Sequence, residues 1–307
     1  MKRITAAVFA VLLLASCSSP DKANDAVGYG QDDPIYSDYA EFNALNGAES
    51  DTQNEDTDSV SNSTEKSVEY SVSDAFKKYS AALSSAKSLK SYAVSADKTV
   101  SVEVDKTTVD LEKSTVEASL DKNSDFIYKK SVSLKDKHNR SVSLLTETVY
   151  GDKSAGKCYT RTQFSDVAGT TGDYIETKKS SYKFDVLEKS LGSVYALKSS
   201  NIESVSCTES ESGTTFKFMV KTSSANQMVK NELNGTDFDA KVSNISASYF
   251  ILTAHINSDG VLDSANISAR CQADDSDGSA VYSVGRSIEL SDINSEEILC
   301  EVPDWAG

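Results

Sequence analysis

The chain has 307 residues, 38% of them hydrophobic, with 47 acidic against 31 basic side chains and a formal net charge of −16. Such acidity excludes nucleic acid as a partner, because a phosphate backbone is held by lysine and arginine. Two histidines and five cysteines leave little material for a metal centre, and neither a metal nor another cofactor is expected.

Lys2 and Arg3 precede an apolar run, Ile4 to Leu14, that is too short to cross a bilayer as a helix. A charged head, a short apolar stretch and small residues make a secretory signal peptide, read here as residues 1–16. Its end, Leu14-Ala15-Ser16-Cys17, resembles the bacterial lipobox. That resemblance implies that Cys17 becomes the first residue of the mature chain and is diacylated on sulfur. Two acyl chains hold a protein on a membrane where one would not. The expected location is therefore the cell membrane, lipid-anchored and facing the extracytoplasmic side.

Residues 17–70 are read as an acidic disordered tether. They lack hydrophobic periodicity, and residues 21–70 hold thirteen acids against Lys22 and Lys66. The first twenty residues contribute +2 and residues 21–70 contribute −11, leaving −7 for residues 71–307. Low hydrophobicity with high charge gives too little apolar area to offset the entropy of ordering. A coil of this length spans roughly 40 Å. Tyr29, Tyr36, Tyr39 and Phe42 recur within it, either as a sticky unstructured stretch or as a docking motif for a partner.

The remainder, 71–307, reads as one domain. A first helix is expected from Ser73 as N-cap, with Phe76, Tyr79, Leu83, Ala86 and Leu89 on one apolar face. The period then changes to two. Runs at 92–104, 109–120, 126–134, 142–150 and 158–164, separated by polar turns, make an antiparallel meander. The stretch 165–181 is irregular, Phe184 to Leu191 suggests a second helix, and strands return at 202–207 and 214–222. A third helix spans 224–233, ended by Asn234-Gly235. Long strands follow at 245–257, 261–273 and 281–290, and Ile298–Val302 would add a short edge strand.

The fold class is thus α+β, mostly β: a strongly curved antiparallel half-barrel sheet of about ten or eleven strands, covered by about three helices. Lipobox, tether, leading helix, long meander, helical interruptions and closing hairpins resemble the LolA/LppX/LprG-like lipoproteins. The resemblance is architectural and implies a lipid-holding space between sheet and helical lid. No motif transfers a functional residue except Cys17.

Chemical motifs are sparse. Gly151-Asp-Lys-Ser-Ala-Gly156-Lys157-Cys158 nearly spells a P-loop, but Cys158 stands where Ser or Thr would hold Mg²⁺, and a strand follows it. Asp274-Asp275-Ser276-Asp277-Gly278 suggests a calcium loop but lacks its first acid and closing Glu. His138 and His255 fall in no catalytic motif. Cys158, Cys207, Cys271 and Cys300 can pair as disulfides in three ways in an oxidising compartment, or stay as small buried thiols.

The expected function is therefore non-enzymatic: a membrane-anchored lipoprotein binding or carrying a lipid or other amphiphile. The residues expected to bury it are Phe76, Tyr79, Leu83, Val186, Leu187, Phe216, Phe218, Tyr249 and Ile251. The alternative is a structural or interaction module with a filled core that binds an envelope protein or a glycan.

Overall fold

A computed structural model of the protein describes residues 65–169, 172–234 and 242–306. The leader, Cys17 and the tether up to residue 64 lie outside the described residues, as does Gly235.

Twelve strands form one sheet: β1 (Lys66–Ser67), β2 (Tyr92–Val104), β3 (Thr107–Leu120), β4 (Phe126–Lys135), β5 (Ser141–Asp152), β6 (Lys157–Asp166), β7 (Tyr174–Ser181), β8 (Ile202–Ser210), β9 (Gly213–Val220), β10 (Ser243–Asn257), β11 (Leu262–Asp275) and β12 (Gly278–Ser291). Their spatial order is β1-β8-β9-β10-β11-β12-β2-β3-β4-β5-β6-β7, and the sheet is curved and unclosed. Two sequential meanders, β2–β7 and β8–β12, are joined where β12 pairs antiparallel with β2. Among the described residues three α-helices accompany the sheet: α1 (Val72–Lys87), α2 (Val186–Leu191) and α3 (Thr222–Asn234). The mostly-β half-barrel expected from the sequence is the observed architecture.

Three local expectations need correction. α1 begins two residues early, because Ser71 rather than Ser73 is its N-cap and accepts from the Asp74 amide at 3.1 Å. The stretch 165–181, expected to be irregular, holds β7. All eight residues of β7 are exposed, so no buried face imposes a hydrophobic alternation on its sequence. The edge strand expected at Ile298–Val302 does not form. This segment follows β12, whose two sides are already taken by β11 and β2, and Leu299 and Val302 stay exposed. With β1 added on the other edge, the sheet reaches twelve strands.

The core lies on one face of the sheet, beneath the helices. On β2 the even-numbered residues Tyr92, Val94, Ala96, Val100 and Val102 are buried. α1 packs on β8, β10 and β11, α2 on β2 and β3, and α3 on β10, β11 and β12. The pairing of β3 with β2 carries one irregularity. Val100 pairs with Glu112 but Ser101 pairs with Asp110, so Leu111 is an extra residue in a β-bulge. A bulge changes which residues face inward. Here both Leu111 and Glu112 are buried, and from Glu112 on the even residues Ser114, Val116 and Ala118 face the core.

A charged cavity beneath the second and third helices

The nine apolar residues expected to bind a ligand do not share one place. Phe76, Tyr79, Phe216 and Phe218 form a chain of ring contacts under α1, with centroids 6.1 Å apart for Phe76–Tyr79, 5.4 Å for Tyr79–Phe218 and 5.7 Å for Phe216–Phe218. Tyr79 also donates its hydroxyl to the Val194 carbonyl at 2.6 Å. Leu83 packs on the same core from α1. Val186 and Leu187 are buried on α2. Tyr249 and Ile251 are buried as well, but they alternate with Phe250 and Leu252 along β10 and so face the other side of the sheet.

None of the nine lines the cavity that opens between sheet and cover. This space of about 430 Å³ has its floor on β2 to β5 and β12, and its roof on Phe184, α2, the 3-10 turn Gly192–Ala196 and the last turn of α3. That volume lies in the range of small-molecule sites. Ala96, Val116, Tyr128, Phe184 and Ala196 supply apolar wall. Ser114, Gly192, Ser193 and Asn231 add uncharged lining, and the rest is charged: Asp97, Glu112, Glu147 and Glu232 against Lys98, Lys130, Lys189 and Arg286.

Four of these groups sit deep. The side chains of Lys98, Glu112, Glu232 and Arg286 are exposed by 10%, 1%, 3% and 12%. The fold puts each there for a local reason. Lys98 occupies the inward parity between Ala96 and Val100, and Arg286 holds the same place between Val284 and Ile288. Glu112 is turned in by the bulge at Leu111. Glu232 lies on the buried arc of α3 with Met228, Val229 and Leu233.

Lys98 and Arg286 are directly opposite each other across β2 and β12, an arrangement that repels. Helix ends and acids compensate. Lys98 Nζ donates to the Glu232 carbonyl at 2.7 Å, and an Arg286 guanidinium N–H donates to the Ser190 carbonyl at the end of α2. Cations at helix C-termini meet the negative end of the helix dipole. The carboxylates stand further off: Lys98 Nζ is 3.9 Å from both Glu112 Oε1 and Glu232 Oε2, and Arg286 Nη1 is 3.6 Å from Glu232 Oε2. Direct charge-assisted bonds measure about 2.7–2.9 Å, so Glu112, Lys98, Glu232 and Arg286 stand in a series of alternating sign at longer spacing than that. Burial pushes the Lys98 ammonium below the ordinary lysine value, Glu112 and Glu232 pull it back up, and Arg286 adds to the lowering.

The roof is fitted to this cluster. Asp185 caps α2 by accepting from the Glu188 amide at 2.9 Å. Gly192 ends α2 at φ 54° and ψ −123°, a backbone open to glycine, and a Cβ there would stand 2.2 Å from Arg286 Nη1. The arrangement can present ammonium and guanidinium donors and two carboxylate acceptors to a single ligand.

Elsewhere the motif-like stretches resolve into structure. Asp152 pairs with Lys157, so the P-loop look-alike is a hairpin turn with Cys158 in β6. The 274–278 stretch closes β11 onto β12, and its Asp275 carboxylate accepts from the Tyr282 hydroxyl and meets Lys137 Nζ at 2.7 Å. His255 Nδ1 lies 2.6 Å from Asp263 Oδ1, on the face of β10 opposite Ala254 and Ile256. Cys158, Cys207, Cys271 and Cys300 are buried free thiols, and burial pushes those of Cys207, Cys271 and Cys300 up to about 11. Among the described residues no cluster of three or more His, Cys, Asp or Glu suits a metal ion.

No family model and no curated protein matches the chain. Among solved structures, a bifunctional dehydratase-cyclase domain in ambruticin biosynthesis is similar at 10% identity over 70% of this chain and 79% of that one, with a TM-score of 0.13. A dehydratase domain from the CurH module of curacin polyketide synthase is similar at 12% identity over 64% and 77%, with a TM-score of 0.12. TM-scores this low carry no structural argument.

Proposed function

We propose that this protein is a membrane-tethered, non-catalytic lipoprotein that binds an amphiphilic ligand, such as a lipid, between its curved sheet and its helical cover. The lipobox-like Leu14-Ala15-Ser16-Cys17 supports the anchor, and the acidic stretch after it supports a tether on the extracytoplasmic side. The observation that carries the binding reading is the cavity of about 430 Å³ beneath α2 and α3, with apolar wall on one part and charge on another. That mixture matches a ligand with two unlike ends better than a plain hydrocarbon. The resemblance to the LolA/LppX/LprG-like lipoproteins points the same way.

A second reading, an interaction module for an envelope protein or glycan, is favoured by a separate observation. Leu144, Tyr174 and Ile175 are exposed on β5 and β7, around a surface groove that also includes Phe164, and Val167 is exposed just after β6. The test is intact-mass spectrometry of the protein isolated from its own host without denaturant. A lipid-sized mass removed by solvent extraction supports the binding reading. A bare polypeptide mass, with no uptake of a fluorescent lipid, leaves the interaction module as the better account.

A further inference from the structure

The charge balance of the cavity says more about the ligand than its volume does. The domain as a whole is acidic, yet the cavity lining has equal numbers of acids and bases. At its centre two cations alternate with two carboxylates at 3.6–3.9 Å. An anion entering this cluster would meet Glu112 and Glu232, and a cation would meet Lys98 and Arg286. An uncharged chain would displace water from all four without returning any polar contact, at a large desolvation cost. A ligand bearing both signs avoids each of these penalties. Arg286 supports the same conclusion, since its Nε is buried with no hydrogen-bond partner while its other N–H groups face Ser190 and Glu232. A buried donor of that kind calls for an acceptor.

We propose that the cavity binds a zwitterionic head group, its ammonium set against Glu112 and Glu232 and its anionic group against Lys98 and Arg286. Tyr128 and Phe184 lie along the apolar wall beside this cluster. The inference rests on the amphiphile reading only for what is attached to the head. The same chemistry is offered by a lipid such as a phosphatidylethanolamine and by a free zwitterion such as phosphoethanolamine.

The test is titration calorimetry on the full chain in a non-ionic detergent after solvent extraction. The panel is phosphoethanolamine, ethanolamine, inorganic phosphate, lysophosphatidylethanolamine and palmitate. The expected result is that the two zwitterions bind at least tenfold more tightly than ethanolamine, phosphate or palmitate. Glu112→Gln and Arg286→Met should each weaken the zwitterions at least tenfold. Phosphate or palmitate binding as tightly as the zwitterions would overturn the proposal, and so would unchanged affinity in both variants. The panel on the unaltered chain decides the matter even if a variant fails to fold. The arms separate the two readings: equal binding of palmitate and the lysolipid keeps the amphiphile and removes the head-group site. Phosphoethanolamine binding alone does the reverse, and no binding at all removes both.

Discussion

Lys98 and Arg286 face each other across two adjacent strands, and Glu232 Oε2 stands 3.9 Å from Lys98 Nζ and 3.6 Å from Arg286 Nη1. Removing the acid leaves two buried like charges. Glu232→Ala should therefore lower stability by about 3–5 kcal/mol, read from urea unfolding. Combining it with Lys98→Met should recover part of that loss, because the remaining charge conflict is gone. A loss below about 1 kcal/mol would mean that the cluster is better hydrated than its burial indicates. A second residue-scale prediction concerns acid. Burial opposes ionisation of Asp275, but the Lys137 ammonium and the Tyr282 hydroxyl outweigh it and hold its carboxyl below the usual value. A depressed carboxylate contributes stability that is present above about pH 4 and lost as pH falls through the folded-state value. Asp275→Asn should thus lower the melting temperature at pH 7, and the difference from the unaltered chain should shrink below pH 4. A difference independent of pH would show that packing rather than charge is at stake.

Among the elements, the edges of the sheet explain where sequence patterns are informative. Interior strands bury one face, so β2, β11 and β12 read directly as alternating residues. β7 buries nothing, and no alternation betrays it. β1 is only two residues long, paired with Glu209 and Thr208 of β8, and it lies within the segment read as tether. It is not isolated, because Tyr70 just beyond it donates to Glu209 at 2.9 Å and packs edge-on against Phe216 at 5.3 Å. A chain beginning at Ser71, which keeps the N-cap of α1, should consequently be less stable than one beginning at Glu65 by about 1 kcal/mol, the scale of one aromatic pair. Equal urea midpoints would show that this first edge is ornamental. The candidate site was also partly legible. Lys98 and Arg286 occupy inward parity among aliphatic neighbours, a signal that a buried charge is present. Glu112 could have been found from the switch of parity between Val109-Leu111 and Val116-Ala118-Leu120, which requires an extra residue in between. Glu232 falls on the apolar arc of its helix. What periodicity cannot supply is that these four meet, since that depends on β12 pairing with β2 across some 180 positions of sequence.

At the level of the whole molecule, two meanders joined through β12 and β2 make a curved surface with a covered face. The covered face divides into two parts. Under α1 the aromatic residues Phe76, Tyr79, Phe216 and Phe218 pack on each other, whereas under α2 and α3 a charged cavity remains. The proposed binding function belongs to the second part. Its roof is short: α2 has six residues, is followed by a 3-10 turn, and is tied to the sheet through Arg286. Few residues would have to shift for a ligand to enter. Hydrogen–deuterium exchange on the protein from its own host, before and after solvent extraction, tests this most directly. The account predicts that extraction raises exchange in residues 184–196 and in the last turn of α3, with little change under α1. Exchange that changes only along β7, or nowhere, would contradict a ligand held between sheet and cover.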